Sequence, residues 1–307
     1  MRKFIKFLMF GLLFFALYFL FAIMFLPKAN LHEFGIYKTA QFEILGEKKN
    51  TIDAVVLGDS LVYSSISPME IYGKYGYTVF DCAEAAQILP DAYAYYKAAI
   101  QTQKPKVALI EANMFFRDAK KRPWDNTYQK ILKNSLPLFK YHNNWKTLFN
   151  GDINGKANIL KGFKKNIKVK SSENSDYMRT TLKKSKLLQS NFKYFKKFVK
   201  YSKENNIKLI IIGLPSKKSW NYAKHKEIEE LTKEYNLPYI NLNLEAGINI
   251  DWEKDTYDRG NHLNYSGAKK VTAYIGNYLK KLSILKNHKN DLDYYEWNKA
   301  YHEYLKN

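Results

Sequence analysis

The sequence predicts an α/β domain built on a parallel sheet of about five strands, with helices on both faces. Three observations predict it. Short apolar runs alternate with longer segments whose apolar residues recur at helical spacing. Glycine, proline and asparagine punctuate the ends of those runs. Strands separated by helices also require right-handed crossovers, which set the strands parallel and the helices over the faces.

The elements follow in order. Residues 52–57 form a buried first strand, followed by the turn Gly58-Asp59-Ser60, and residues 77–81 form a second strand. Residues 88–103 carry Ile88, Ala92, Tyr95, Tyr96, Ala99 and Ile100 on one helical face, and Pro105 stops that helix before a strand at 107–112. Phe192, Phe195 and Val199 mark another helical stripe, which leads to a strand at 208–212 ended by Gly213-Leu214-Pro215. A polar helix at 223–235 precedes a strand at 239–242. A last long helix at 265–282 turns Ala268, Val271, Ile275, Leu279 and Leu282 inward. The alternation breaks at about 117–190, a Lys- and Asn-rich stretch holding Trp124 and Trp145. It lacks strand signals and is too long for a plain loop, so a helical insertion over one end of the sheet is expected. The polar, aromatic tail at about 289–307 is expected to be a surface helix.

At 307 residues the chain suits one large α/β domain or a domain with a sizeable insertion. An apolar content of 46% excludes wholesale disorder. The single cysteine, Cys82, excludes a disulfide framework and a multi-cysteine zinc site. Fifty Lys and Arg against 29 Asp and Glu leave a formal charge of +21, which favours anionic partners. The abundance of Lys, Asn, Tyr and Ile equally fits a bias in genome composition.

Arg2, Lys3 and Lys6 precede an uncharged apolar run over 7–26, closed by Pro27 and Lys28. As a helix, twenty residues rise about 30 Å, the thickness of a bilayer core. The run is longer than the apolar region of a cleaved signal peptide and ends without small residues. Residues 1–28 are therefore expected to be an uncleaved anchor, with the N-terminus cytoplasmic and 29–307 extracytoplasmic. That topology argues against nucleic acid as a partner, and no basic–aromatic RNA motif is present.

In an open parallel sheet, ligands collect beyond the carboxyl ends of the strands. Ser60 sits there, three residues past the first strand and near the start of the next helix, where backbone N–H groups can stabilise an oxyanion. A serine needs a base to become a nucleophile; alternatively, Asp59 or Ser60 simply caps the helix. The base candidate is His262, in Asp258-Arg259-Gly260-Asn261-His262-Leu263-Asn264 before the last helix. A carboxylate beside a loop histidine, distant in sequence from a serine, is a triad arrangement. Of the other histidines, only His142 competes, read as a packed side chain of the insertion or as a substrate contact. The histidines lack metal-ligand spacing, so no metal is expected, and no glycine-rich loop suggests a nucleotide cofactor.

Gly58-Asp59-Ser60-Leu61 paired with His262-Leu263-Asn264 resembles the SGNH/GDSL hydrolase superfamily over most of residues 50–282. The resemblance implies a flavodoxin-like three-layer α/β/α fold, with Ser60 as nucleophile and His262 as base. It implies an oxyanion hole from Ser60, Asn113 and the segment 81–87, where Ala86 stands in place of the family's glycine. The family's acidic residue stands three before the histidine; that position is Arg259, which leaves Asp258, four before, as the assigned carboxylate and Asp255 as the reserve. Asp59, Gln87, His142 and Trp145 are the expected substrate-lining residues, with Asn143 beside the last two.

An anchor, an outward SGNH-like domain, an insertion and a basic surface also resemble the accessory proteins of membrane-bound O-acyltransferases. The resemblance implies ester chemistry on acetyl or D-alanyl groups of a cell-envelope glycan or teichoic acid, by hydrolysis or transfer. The partners implied are that polymer and an integral-membrane O-acyltransferase. The alternative is a non-catalytic SGNH-like binding partner of such an enzyme.

Overall fold

Five parallel strands form a sheet in the order β2-β1-β3-β4-β5, where β1 is Ala54–Gly58, β2 Val79–Ala83, β3 Val107–Glu111, β4 Lys208–Gly213 and β5 Tyr239–Asn241. The computed structural model describes residues 2–25, 44, 46–118, 159–173, 176–245 and 247–306. The chain divides into two compact units, 1–46 with 119–158 and 47–118 with 159–307, and the sheet belongs to the second.

In the first unit, the described helix α1 spans Arg2–Phe25. Over Arg2–Phe21 its mean hydropathy is 2.3, and it is long and apolar enough to cross a membrane.

In the second unit, β1 and β3 are buried along their whole length, as strands covered on both faces must be. Successive strand side chains point to opposite faces. Ala54, Val56, Val79, Val107, Leu109, Ile210 and Ile212 therefore share one face. They pack with Leu61 and Val62 of α2 (Ser60–Ser65), Ile71 of α3 (Pro68–Tyr75), and Val271, Ile275 and Leu279 of α7 (Tyr265–Leu282). Full burial of each such aliphatic side chain stabilises by about 1.5–3 kcal/mol. Val55, Leu57, Ala108 and Ile110 alternate with them and are equally buried. They point to the opposite face, which carries α4 (Leu89–Thr102) and α5 (Gln189–Glu204). Tyr93 and Tyr96 of α4 meet Phe198 of α5 ring to ring, and Tyr96 donates to or accepts from Ser202 at 2.9 Å. α6 (Tyr222–Glu234) precedes β5.

The expected strands and helices are present with shifted ends. β1 and β2 begin two residues later than the apolar runs suggested. On α5 the buried stripe is Phe195 and Phe198, with Phe192 and Val199 only partly buried. Leu282 is likewise only partly buried. The tail forms α8 (Tyr295–Lys306), which is more than a surface helix, because Trp297, Ala300 and Tyr304 are buried. His288 anchors its approach, with Nε2 3.1 Å from Asp53 and its ring stacked on Tyr294.

The expected helical insertion needs correction where it is described. Residues 159–173 and 176–188 carry turns and irregular backbone rather than helix. The reason is that their backbone groups are taken up by neighbours: Asp81 N–H donates to Lys161 O at 2.9 Å, and Tyr265 N–H to Asn166 O at 2.7 Å. The remainder of the insertion, with Trp124, His142, Asn143 and Trp145, lies outside the described residues.

Candidate active site

The strand order places β1 and β3 side by side while their onward connections diverge, β1 to β2 and β3 to β4. The crevice at such a switch point, beyond the strand carboxyl ends, is where this fold class binds ligands. Ser60, the first residue of α2, stands at the end of β1. Gly58 is required there by close packing, since a Cβ would fall 2.2 Å from Val62 Cγ2 and 2.8 Å from Glu111 Cβ.

His262 reaches the crevice from the loop before α7. Its Nε2 lies 2.7 Å from Ser60 Oγ and its Nδ1 2.5 Å from Asp258 Oδ2. A carboxylate facing Nδ1 places the imidazole proton there and leaves the Nε2 lone pair for the serine hydroxyl. Asn261 Nδ2 also stands 3.2 Å from Nδ1, but it is further away and itself a donor.

The backbone holds this geometry. Asp258 Oδ1 accepts the N–H of His262 at 2.7 Å and of Asn261 at 3.1 Å. Arg259 and Gly260 both take positive φ, 65° and 87°, and this left-handed pair absorbs the extra residue between carboxylate and histidine. Thr256 Oγ1 donates to His262 O at 2.8 Å and accepts from Gly260 N at 2.8 Å, tying the loop across its base. Asn264 caps α7 by accepting from Gly267 N at 3.2 Å.

Asp255, the reserve carboxylate, is elsewhere. It is buried, ion-paired with Lys270 at 2.6 Å, and accepts Asp251 N–H at 2.8 Å.

Two tyrosines close on the pair. Tyr63 lies one helical turn after Ser60 on α2, and burial raises its phenol pKa above the ordinary value. The Tyr257 ring lies parallel to His262, with centroids 5.6 Å apart, and burial followed by the Asp258 charge pushes its pKa up to about 12. The sequence reading missed both, although Tyr63 lies one helical turn after Ser60 and so on its face.

Behind the serine lies a charged cluster of which the sequence reading named only Asp59 and Asn113. Asp59, expected to line the substrate site, is fully buried. Its side chain caps α2 through Leu61 N–H at 2.8 Å, ion-pairs with Arg117, and accepts from Asn113 Nδ2 at 3.3 Å. Asn113 Oδ1 in turn accepts from Lys224 Nζ at 2.9 Å, which fixes the orientation of the amide. Glu111, also fully buried, accepts Asn113 N–H at 2.7 Å. Burial first and the Asp59 charge second raise the Glu111 pKa well above the carboxylate range, whereas burial lowers that of Lys224. No sequence spacing links Lys224 to Asn113, because 111 residues separate them.

The remaining expected residues divide. Ala86 is exposed and takes φ 53°, the left-handed conformation for which glycine is favoured, in the turn closed by Gln87 N–H to Glu84 O at 3.2 Å. Gln87, expected to line substrate, is 2% exposed with both amide ends unpartnered, and nothing in the structure explains its burial. His142 and Trp145 lie outside the described residues. Among the described residues no group of three or more His, Cys, Asp or Glu could hold a metal ion.

No family model matches the chain, and no curated protein is significantly similar to it. Solved structures of similar shape include a GDSL-like lipase from Bacteroides thetaiotaomicron, at 13% identity and TM-score 0.39, covering 75% of this chain and 88% of that one. A psychrotrophic esterase from Pseudoalteromonas matches at 12% identity and TM-score 0.41, covering 75% and 97%. A family 3 carbohydrate esterase from Clostridium thermocellum matches at 13% identity and TM-score 0.38, covering 76% and 97%.

Proposed function

We propose that this chain is a membrane-anchored, extracytoplasmic serine esterase or O-acyltransferase of the SGNH/GDSL type. Its substrates are ester-linked acyl groups, acetyl or D-alanyl, on a cell-envelope glycan or teichoic acid. The observation that carries the proposal is the continuous relay from Ser60 Oγ to His262 Nε2 at 2.7 Å and from His262 Nδ1 to Asp258 at 2.5 Å.

The chemistry follows from that relay. His262 Nε2 takes the Ser60 proton as Oγ attacks the acyl carbonyl, and Asp258 stabilises the imidazolium that forms. The oxyanion is met by the Ser60 N–H, an orphan donor in the first turn of α2, with the Ala86 N–H and the second Asn113 amide hydrogen assigned to the same role. His262 then returns its proton to the departing alkoxide. Water or a glycan hydroxyl, deprotonated by His262, attacks the acyl-Ser60 ester and releases the serine. Hydrolysis and transfer share every step except the identity of that acceptor. Helix α1 supports the anchor, and an anchored enzyme suits transfer in concert with an integral-membrane O-acyltransferase.

The test is intact-mass analysis of the full chain in detergent after fluorophosphonate treatment, with Ser60→Ala beside it. One adduct, absent from Ser60→Ala, is expected. A folded protein that takes up no adduct overturns the catalytic reading and leaves the non-catalytic partner of an acyltransferase. Envelope material from cells carrying Ser60→Ala then separates the two activities: ester-linked acyl groups fall for a transferase and rise for a deacylase.

A further inference from the structure

Residues 164–172, which carry no regular secondary structure, are tied to the elements of the candidate site at several points. Lys164 N–H donates to Tyr63 O at 2.7 Å, and Lys164 Nζ sits 4.1 Å above the Tyr63 ring. Tyr63 lies on the same short helix as Ser60, one turn further on. Further along, Asn264 Nδ2 donates to Lys168 O at 3.1 Å and Lys170 N–H to Thr256 O at 2.9 Å. Arg259 N–H, from the loop between Asp258 and His262, donates to Lys170 O at 3.1 Å. The backbone of this strap is thus fastened to the base-bearing loop while the side chains of residues 167–170 are exposed.

Ile167 is 76% and Val169 57% exposed. Lys168, Lys170 and Arg259 are exposed as well, and among the described residues no carboxylate pairs with them. Of the acids in the neighbouring loop, Asp258 is paired with His262, Asp255 with Lys270 and Asp251 with Lys254, and Glu253 is exposed. Lys168 and Lys170 are two residues apart in sequence and both exposed. Unpaired cations spaced along a fixed segment attract a chain of spaced negative charges. A single small anion would call for one converging pocket.

We infer that the strap 164–172, with Arg259, is a polyanion-binding edge. It holds an anionic envelope polymer, with phosphodiester or carboxylate groups along its backbone, so that an acyl ester on that polymer reaches Ser60. Ile167 and Val169 supply apolar surface for the uncharged parts of the repeat. The inference deepens the proposed function and rests on its placing of the acyl chemistry at Ser60.

The test measures binding of two defined probes to the full chain in detergent: a glycerol-phosphate oligomer and an oligogalacturonate, with dextran as neutral control. Lys168→Glu/Lys170→Glu is compared with Lys193→Glu/Lys203→Glu, an equal charge change at exposed α5 positions. The strap variant is expected to lose about tenfold or more in affinity with a shallower salt dependence, and the α5 variant less than about twofold. Lys168→Gln/Lys170→Gln gives an intermediate loss and guards against misfolding of the reversed variant. Whichever probe binds more tightly identifies the backbone anion. Hydrolysis of a small neutral ester is expected to be unchanged in all three variants.

Equal losses in the strap and α5 variants overturn the inference, since the attraction is then diffuse. So does a strap variant that loses binding only to phosphatidylglycerol vesicles, because the edge then serves a membrane surface. Strap-dependent polymer binding in a protein whose Ser60 takes no fluorophosphonate would leave the edge standing and remove the enzyme reading instead.

Discussion

The carboxylate that orients His262 can be identified by two substitutions with opposite expected signatures. In Asp258→Asn, Oδ1 can still accept the N–H groups of His262 and Asn261, now found at 2.7 Å and 3.1 Å, so the loop keeps its form. The change falls on the 2.5 Å contact to Nδ1, where an amide nitrogen meets an imidazole N–H. Two donors cannot share that space, so the ring moves its proton to Nε2 and aims it at Ser60 Oγ. A base that already carries its proton cannot accept another. The loss expected for a tautomer so trapped is about 10⁴ in kcat, which is about 5.4 kcal/mol of barrier at 1.36 kcal/mol per tenfold.

Asp255→Asn should do the reverse. It weakens the ion pair to Lys270 and the acceptance of Asp251 N–H in a buried place, lowering stability by about 1–3 kcal/mol, while the relay at Ser60 is untouched. The assay is hydrolysis of an activated acetate ester by the full chain in detergent, with fluorophosphonate labelling rates and thermal midpoints measured in parallel. An Asp258→Asn protein that labels at the parent rate, beside an Asp255→Asn protein that does not label, would falsify the assignment.

Three further substitutions probe the surroundings. Lys224→Met removes the donor that holds Asn113 Oδ1, so kcat is expected to fall about tenfold or more with KM for a small ester unchanged; steady-state kinetics with Lys224→Arg as rescue decide it. Ala86→Gly relieves a left-handed alanine at φ 53° and is expected to raise stability by about 1 kcal/mol in chemical denaturation, with esterase activity kept. Asp81 is fully buried with neither carboxylate oxygen partnered, and burial raises its pKa well above 3.8. The folded chain then keeps a proton that the unfolded chain releases, so its contribution to stability is full below about pH 3.8 and is lost as pH rises toward the folded pKa. Asp81→Asn should remove a slope of about 1.4 kcal/mol per pH unit over that window; parallel pH-stability curves for variant and parent would refute this.

The contrast between what the sequence discloses and what it conceals follows from the range of each interaction. The sheet was legible because burial on both faces of β1 and β3 demands continuous apolar runs, and that demand is local. Ser60 and His262 were legible because both follow recognisable punctuation, a glycine turn after a strand and a loop before a capped helix. Asp258 was legible only once Gly260 was granted an unusual conformation, and the structure divides that burden between Gly260 and Arg259, a residue whose side chain gives no hint of it. Of the two roles the sequence offered Asp59, helix cap and substrate contact, the structure shows the first, and its oxygens are consumed by that cap, Arg117 and Asn113. Lys224 was invisible because its partner belongs to the turn after β3, and only the packing of α6 beside that turn brings them together. Chemistry that depends on one turn of chain is written in spacing; chemistry that depends on which helix covers which strand end is written only in the fold. The strap 164–172 is an intermediate case: its lysines were counted within the net charge, but their concentration beside Ser60 arises from hydrogen bonds to Tyr63, Thr256 and Asn264.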